Sequence, residues 1–177
     1  SHYKGGNLST FKILGNGGIS EAATFIQHTG KSVHPNQNTA HMHAMIPSAD
    51  GRWVYASDLG IDQILKYKVN PANGTVDKNP VIFQASPGAG PRHFVFHPSL
   101  PYAYSLEDLS NTVSIYSVDQ TNGDLSPIGR VNMLNDKQHS DYNAGADIHF
   151  SKDAKWLYAS HSCYLINVIC RVSTWPG

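Results

Sequence analysis

Four short stretches of the sequence gather the residue types that move protons and hold anions. They are His41-Met-His43, Gly88-Ala-Gly-Pro-Arg92-His93, Glu107-Asp108 and Ala146-Asp147-Ile-His149. Histidine is the side chain whose ordinary pKa lies closest to neutrality, which suits it to general acid–base work. Arginine stays charged and binds carboxylates or phosphates bidentately. Carboxylates orient either partner. Two neutral imidazoles at i and i+2, as in His41-x-His43, point to one face of a strand and can share a zinc ion. No Cys or carboxylate is spaced nearby to complete such a set, so no metal site is assigned. No G-x-S-x-G elbow is present to support a serine nucleophile. Gly88-Ala-Gly-Pro precedes a strand rather than opening a helix, which excludes a phosphate-binding loop of the helix N-terminus kind.

The elements that position these residues form a repeat. His43-Ala-Met-Ile-Pro with Gly51-Arg-Trp-Val-Tyr-Ala-Ser-Asp-Leu is matched by His93-Phe-Val-Phe-His-Pro with Tyr102-Ala-Tyr-Ser-Leu-Glu-Asp-Leu. Both copies run on into Ile64-Leu-Lys-Tyr-Lys-Val and Val113-Ser-Ile-Tyr-Ser-Val, and then into Asn73-Gly-Thr-Val and Asn122-Gly-Asp-Leu. A third copy opens at His149-Phe-Ser-Lys-Asp and passes through Trp156-Leu-Tyr-Ala-Ser; the tail of an earlier one covers Leu8–Ile19. The period is about 50 residues, built of short Val-, Ile-, Tyr- and Phe-rich runs bounded by Asp-Gly, Asn-Gly and Pro, with no helical periodicity. That pattern predicts an all-β chain of β-propeller blades, four antiparallel strands each. A β-sandwich is the alternative, but sandwiches seldom repeat so regularly. The expected division is a blade remnant over 1–30 and blades over about 40–90, 91–145 and 146–177, about three and a half in all. Cys163-Tyr-Leu-Ile-Asn-Val-Ile-Cys170 is an irregular version of the strand at Ile64 and Val113.

The first strand of each propeller blade lies nearest the axis, so equivalent positions in successive blades face one another. On that reading His43, His93 and His149 share one position, and Asp58 and Asp108 share another at the end of the next strand. Their recurrence fits a scaffold role equally well. Asp147 reads as a turn or structural residue. Arg92 departs from the repeat, having Met42 and Ile148 as counterparts, which points to a task specific to a site.

Composition narrows the partners. The chain has 177 residues, 13 Lys+Arg against 13 Asp+Glu, and a charged fraction of 15%. A neutral surface without a basic stripe argues against nucleic acid. No run of about 18 apolar residues is present to span a membrane as a helix. Two cysteines are too few for a disulfide scaffold, so a reducing cytoplasm is the expected location. The first methionine is Met42, so the chain is expected to be part of a longer product. Propellers close with about four to eight blades. These residues alone are therefore expected to need an oligomer or the rest of a propeller.

Gly88-Ala-Gly-Pro-Arg-His-Phe-Val-Phe-His-Pro, taken with Ala40-His-Met-His, Ser57-Asp-Leu-Gly, Phe25-Ile-Gln-His-Thr-Gly and Ala146-Asp-Ile-His, resembles the seven-bladed β-propeller lactonases. That family includes the propeller-type 6-phosphogluconolactonases and the fungal carboxy-cis,cis-muconate lactonizing enzyme. The resemblance implies hydrolysis of a sugar-acid lactone, a small-molecule substrate and no metal or organic cofactor. It places the family histidine on His43, the family arginine on Arg92 and the family glutamate on Asp108, with Glu107 in the place of an asparagine. His41, His93 and His149 are the substrate-binding candidates beside them. Two family arginines are missing: one falls at His161-Ser162, the other in the pair that reads Asn36-Gln37 here. In this reading Arg92 holds an anion, His43 activates water, and Asp108 or Glu107 orients the histidine or assists proton transfer. The alternatives are a cycloisomerase that closes or opens a lactone with the same histidine and carboxylate, and an inactive propeller piece that binds a partner.

Overall fold

Pro47-Ser48 and Asp50-Gly51-Arg52 show how the sequence makes its strands turn. Ser48 N–H donates to the Trp53 carbonyl at 2.9 Å, Ser48 Oγ donates to Asp50 Oδ1 at 2.6 Å, and Gly51 takes a φ of 69°. The same turn recurs at Ser151-Lys-Asp153-Ala154-Lys155, with Ser151 N–H on the Trp156 carbonyl at 2.9 Å and Ala154 at φ 57°. Short Asp and Ser side chains satisfy the backbone groups that a tight turn would otherwise leave open.

The computed structural model describes residues 1–134, 144–161 and 168–171; Ser162 and Cys163 lie outside them. The chain divides into two units, Ser1–Gly90 and Pro91–Gly177. In the first, β1 (Asn7–Ile13) and β2 (Ile19–Gln27) form an antiparallel pair. A second sheet runs β3 (Met42–Pro47), β4 (Trp53–Asp58) and β5 (Gln63–Asn70), all antiparallel. The outer edge of β5 is divided between β6 (Thr75–Val76) and β7 (Val81–Gln84). The core of this unit is Leu8, Met42, Val54, Ala56, Leu65, Tyr67 and Val76.

The second unit holds a complete four-stranded sheet in the order β8 (Pro91–Phe96), β9 (Tyr102–Glu107), β10 (Thr112–Val118) and β11 (Leu125–Asn132). Next come β12 (Gly145–Phe150), β13 (Trp156–His161) and β14 (Val168–Arg171). Tyr104, Leu106, Val113, Met133, Ile148, Leu157 and Ala159 form its core. Every sheet is antiparallel, and apart from the β5–β7 pairing all neighbours are sequential, the up-and-down order of propeller blades. No helix among the described residues is long and apolar enough to cross a membrane.

The ladders correct the sequence-based equivalences. Tyr55, Tyr104 and Tyr158 pair with Ile46, Val95 and His149, so His149 is the counterpart of Ile46 and Val95, not of His43. Ala44 pairs with Ser57 as His93 pairs with Leu106. His93 thus corresponds to Ala44, and Arg92 to His43. Likewise Met42 pairs with Asp58 as Pro91 pairs with Glu107, which makes Glu107, not Asp108, the counterpart of Asp58. Matching His43 with His93 slips β3 against β8 by one residue, and a one-residue slip exchanges the two faces of a strand; matching His149 with His93 or His43 slips β12 by two or three residues.

Candidate active site

The corrected register reveals a shared irregularity. In β3 the ladder shifts between Met42 and Ala44, and in β8 between Pro91 and His93. His43 and Arg92 are therefore the inserted residues of β-bulges at the same place in successive sheets. In β12 the shift lies between Gly145 and Ile148, so Ala146 and Asp147 together stand opposite Ser160. Bulges re-aim side chains and are over-represented beside active sites.

In the first unit, half-buried His43 meets the edge of the Tyr3 ring at 5.5 Å, and its carbonyl accepts from Ser1 Oγ at 3.1 Å. His41 stacks on the same ring at 4.7 Å, and its Nδ1 lies 3.3 Å from the Tyr3 carbonyl. Tyr3 thus packs against both histidines, a role that nothing in the local sequence signals.

Two fully buried carboxylates build the frame of this unit. Asp58 Oδ1 accepts from the backbone of His41 at 2.7 Å and Gly60 at 3.0 Å, while Oδ2 meets His28 Nδ1 at 2.8 Å. His28 passes the chain on to the Tyr67 hydroxyl at 2.6 Å. Burial, then the charge of Asp58, pushes the Tyr67 phenol far above its ordinary pKa, so it remains a donor. Asp62 sits in the left-handed region at φ 55°. It accepts from Gln37 Nε2 and Gly90 N at 2.7 Å through Oδ1, and from Gly88 N at 2.7 Å and Ser32 Oγ at 2.5 Å through Oδ2. Gln37, in the place of the expected Arg-Gln pair, also donates to the Leu59 carbonyl at 2.7 Å and is wholly buried. Asn36 donates its backbone N–H to His34 Nδ1 at 3.2 Å.

In the second unit the Arg92 guanidinium reaches two acceptors through one nitrogen: Asp108 Oδ2 at 3.1 Å and the Gly145 carbonyl at 2.8 Å. Its Nε–H is buried and has no hydrogen-bond partner among the described residues. Asp108 is 12% exposed and Arg92 24%, so the pair is partly shielded from water. Glu107, one residue earlier, faces elsewhere. It is fully buried and accepts from Ser114 Oγ at 2.8 Å, from Thr112 Oγ1, and from Arg130 Nε at 2.9 Å. Glu107 is the last residue of β9 and Asp108 the first of the turn that follows, so Asp108 joins Arg92 while Glu107 ties β9 to β10 and β11.

Asp147 is the junction of the remaining candidates. Its Oδ1 lies 2.6 Å from His93 Nδ1 and its Oδ2 2.7 Å from His149 Nε2. The Ile148 N–H donates to Oδ1 at 2.9 Å, and the Asp147 N–H donates to Ser160 Oγ at 3.1 Å. Burial raises the carboxyl, but the hydrogen bonds from His93, His149 and Ile148 outweigh it and hold Asp147 below the usual carboxylate range. Among the described residues, no group of three or more His, Cys, Asp and Glu side chains is arranged to hold a metal ion.

Antiparallel sheets repeated along the chain, one of them a complete four-stranded blade, with a bulge at the start of β3, β8 and β12, are the pattern of a β-propeller. The sequence pattern of the family "Lactonase, 7-bladed beta-propeller" matches residues 1–171, and the chain belongs to that family. Its relatives include a 6-phosphogluconolactonase of Formosa agariphila, 40% identical over 91% of this chain and 45% of the relative. Another is the 6-phosphogluconolactonase of Bacillus subtilis, 29% identical over 100% of this chain and 50% of the relative. A solved structure of a putative 6-phosphogluconolactonase from Bacteroides uniformis superposes with a TM-score of 0.85 at 30% identity, over 99% of this chain and 50% of that one. The chain spans about half the length of the curated relatives it matches.

Proposed function

We propose that the chain serves lactone hydrolysis, with a sugar-acid lactone such as 6-phosphogluconolactone as substrate. One observation carries the reading: His43 and Arg92 are the bulged residues at one register position of successive first strands. The names of the relatives, 6-phosphogluconolactonases, support the substrate class.

Arg92 binds the anion. Asp108 and the Gly145 carbonyl hold one of its terminal nitrogens, and the buried Nε–H is the donor still to be satisfied. Buried donors rarely stay unpaired, and a phosphate or a developing carbonyl oxyanion would supply the acceptor. His43 acts as general base, taking a proton from water as the water oxygen attacks the carbonyl carbon, a contribution of typically 10²–10⁴-fold. Collapse of the tetrahedral intermediate breaks the bond to the ring oxygen and yields the hydroxy acid. Asp108 serves by orienting Arg92.

The test is turnover by the full chain on δ-lactones with and without a 6-phosphate. Hydrolysis with preference for the phosphorylated lactone is expected. A folded sample that turns over no lactone would overturn the reading.

A further inference from the structure

Arg92 and His93 leave β8 at one bulge, and both reach the bulged start of β12. Arg92 donates to the Gly145 carbonyl and His93 meets the Asp147 carboxylate. An anion held by Arg92 is therefore bound next to an imidazole that already has a carboxylate on one ring nitrogen. We propose that His93 is a second proton-transfer residue of this lactonase site, positioned by Asp147, and that it protonates the ring oxygen as the ester bond breaks. The inference rests on the lactonase reading above.

The geometry assigns the atoms. An ionised carboxylate only accepts, so the proton between His93 and Asp147 sits on Nδ1, and Nε2 is the nitrogen that exchanges protons with substrate. The Asp147 carboxylate also accepts from the Ile148 N–H at 2.9 Å and meets His149 Nε2 at 2.7 Å, while the residue's backbone N–H donates to Ser160 Oγ at 3.1 Å. A carboxylate fixed from that many directions fixes the tautomer and the ring plane of its histidine, the division of labour between orienter and base in catalytic triads. The His93 side chain is 33% exposed, so the ring is within reach of solvent and ligand.

Hydrolysis needs two proton movements. The water proton goes to His43 as the carbon–oxygen bond forms. The second proton goes from His93 Nε2 to the ring oxygen as the acyl bond breaks, because an alkoxide is a poor leaving group. The two imidazoles then re-equilibrate with water. Charge and atoms balance without a co-reactant.

The test exploits the leaving group. Dihydrocoumarin releases a phenolate that needs little protonation, whereas gluconolactones release an alkoxide. His93→Gln is expected to lower kcat on the gluconolactone by about 10²–10⁴-fold and to cost far less on dihydrocoumarin. Asp147→Asn should show the same substrate pattern with a smaller loss, and the double variant should be no worse than His93→Gln alone. Equal losses on both lactones, or no loss on the gluconolactone, would overturn the assignment while leaving the lactonase reading standing. Wild-type protein that hydrolyses neither lactone would overturn both. A second measurement is independent of turnover: the His93 Nδ1 proton, shared with a carboxylate at 2.6 Å, should give a far-downfield proton resonance that His93→Gln abolishes. Its absence from the wild-type spectrum would also overturn the proposal.

Discussion

Nδ1 of His97 accepts hydrogen bonds from the backbone N–H groups of Ser99 and Leu100 at 3.1 and 3.0 Å, so a proton on that nitrogen would face two donors. The ring is buried, packed edge-on against Phe150 at 5.1 Å. Burial lowers its pKa, and a hydrogen bond involving the Ala154 backbone only partly offsets this. In the unfolded chain a histidine titrates near 6.5. The folded value lies lower, so the stability from neutral His97 is complete above about pH 6.5 and is lost as pH falls toward the folded value. Thermal midpoints measured from pH 8 to 5 should decline more steeply for wild type than for His97→Asn, whose amide oxygen can stand in for Nδ1 without titrating. Parallel declines would refute the assignment. Sequence comparison missed this role because His97 occupies the place of Ser48 and Ser151, and the chemistry they share, an acceptor at a turn, is not visible in residue type.

At the scale of elements, strand composition and turn residues made the fold legible. Val, Ile, Tyr and Phe runs between Asp-Gly and Asn-Gly turns became β3–β5 and β8–β10 with the expected antiparallel order. Register was not legible, because a bulge inserts a residue without leaving a compositional mark. That is why His43 was matched with His93 when the ladder matches it with Arg92. The same limit hid the different partners of Glu107 and Asp108. Gly60 illustrates a constraint seen only in three dimensions. It lies in a single 3-10 turn, Leu59–Ile61, between β4 and β5. A Cβ there would stand 1.9 Å from the Thr39 carbonyl oxygen and 2.7 Å from the His41 nitrogen. Both neighbours are backbone and cannot rotate away. Gly60→Ala should therefore cost at least the ~1–3 kcal/mol typical of overpacking. Denaturant unfolding with an unchanged midpoint would contradict this.

At the scale of the molecule, the β1–β2 pair presents Phe11, Ile13, Ile19 and Phe25 at 46%, 76%, 66% and 54% exposure. Val33 and Ile82 in the same unit are also more than half exposed. Large apolar side chains exposed together, on strands with open edges, favour association. At ~25 cal/mol per Å², covering even about 400 Å² of apolar surface contributes about 10 kcal/mol, comparable with the whole stability of a domain. The 177-residue chain expressed alone is thus expected to self-associate, and sedimentation should find species heavier than a monomer. A monodisperse monomer with cooperative unfolding would contradict that expectation.

The central claim is that the bulged residues of successive first strands, Arg92 above all, serve lactone hydrolysis rather than the scaffold. The most direct measurement is kcat/KM on 6-phosphogluconolactone for wild type, Arg92→Lys and Arg92→Ala, with thermal midpoints recorded beside each. Loss of one charge-assisted, partly buried anion contact is worth about 3–4 kcal/mol in the transition state, or roughly 10²–10³-fold. Arg92→Ala should fall by that much while remaining folded. Arg92→Lys should recover little, because a single ammonium placed on Asp108 and the Gly145 carbonyl offers no second donor at the position of Nε. Wild-type kcat/KM in Arg92→Ala, or full recovery in Arg92→Lys, would contradict the account.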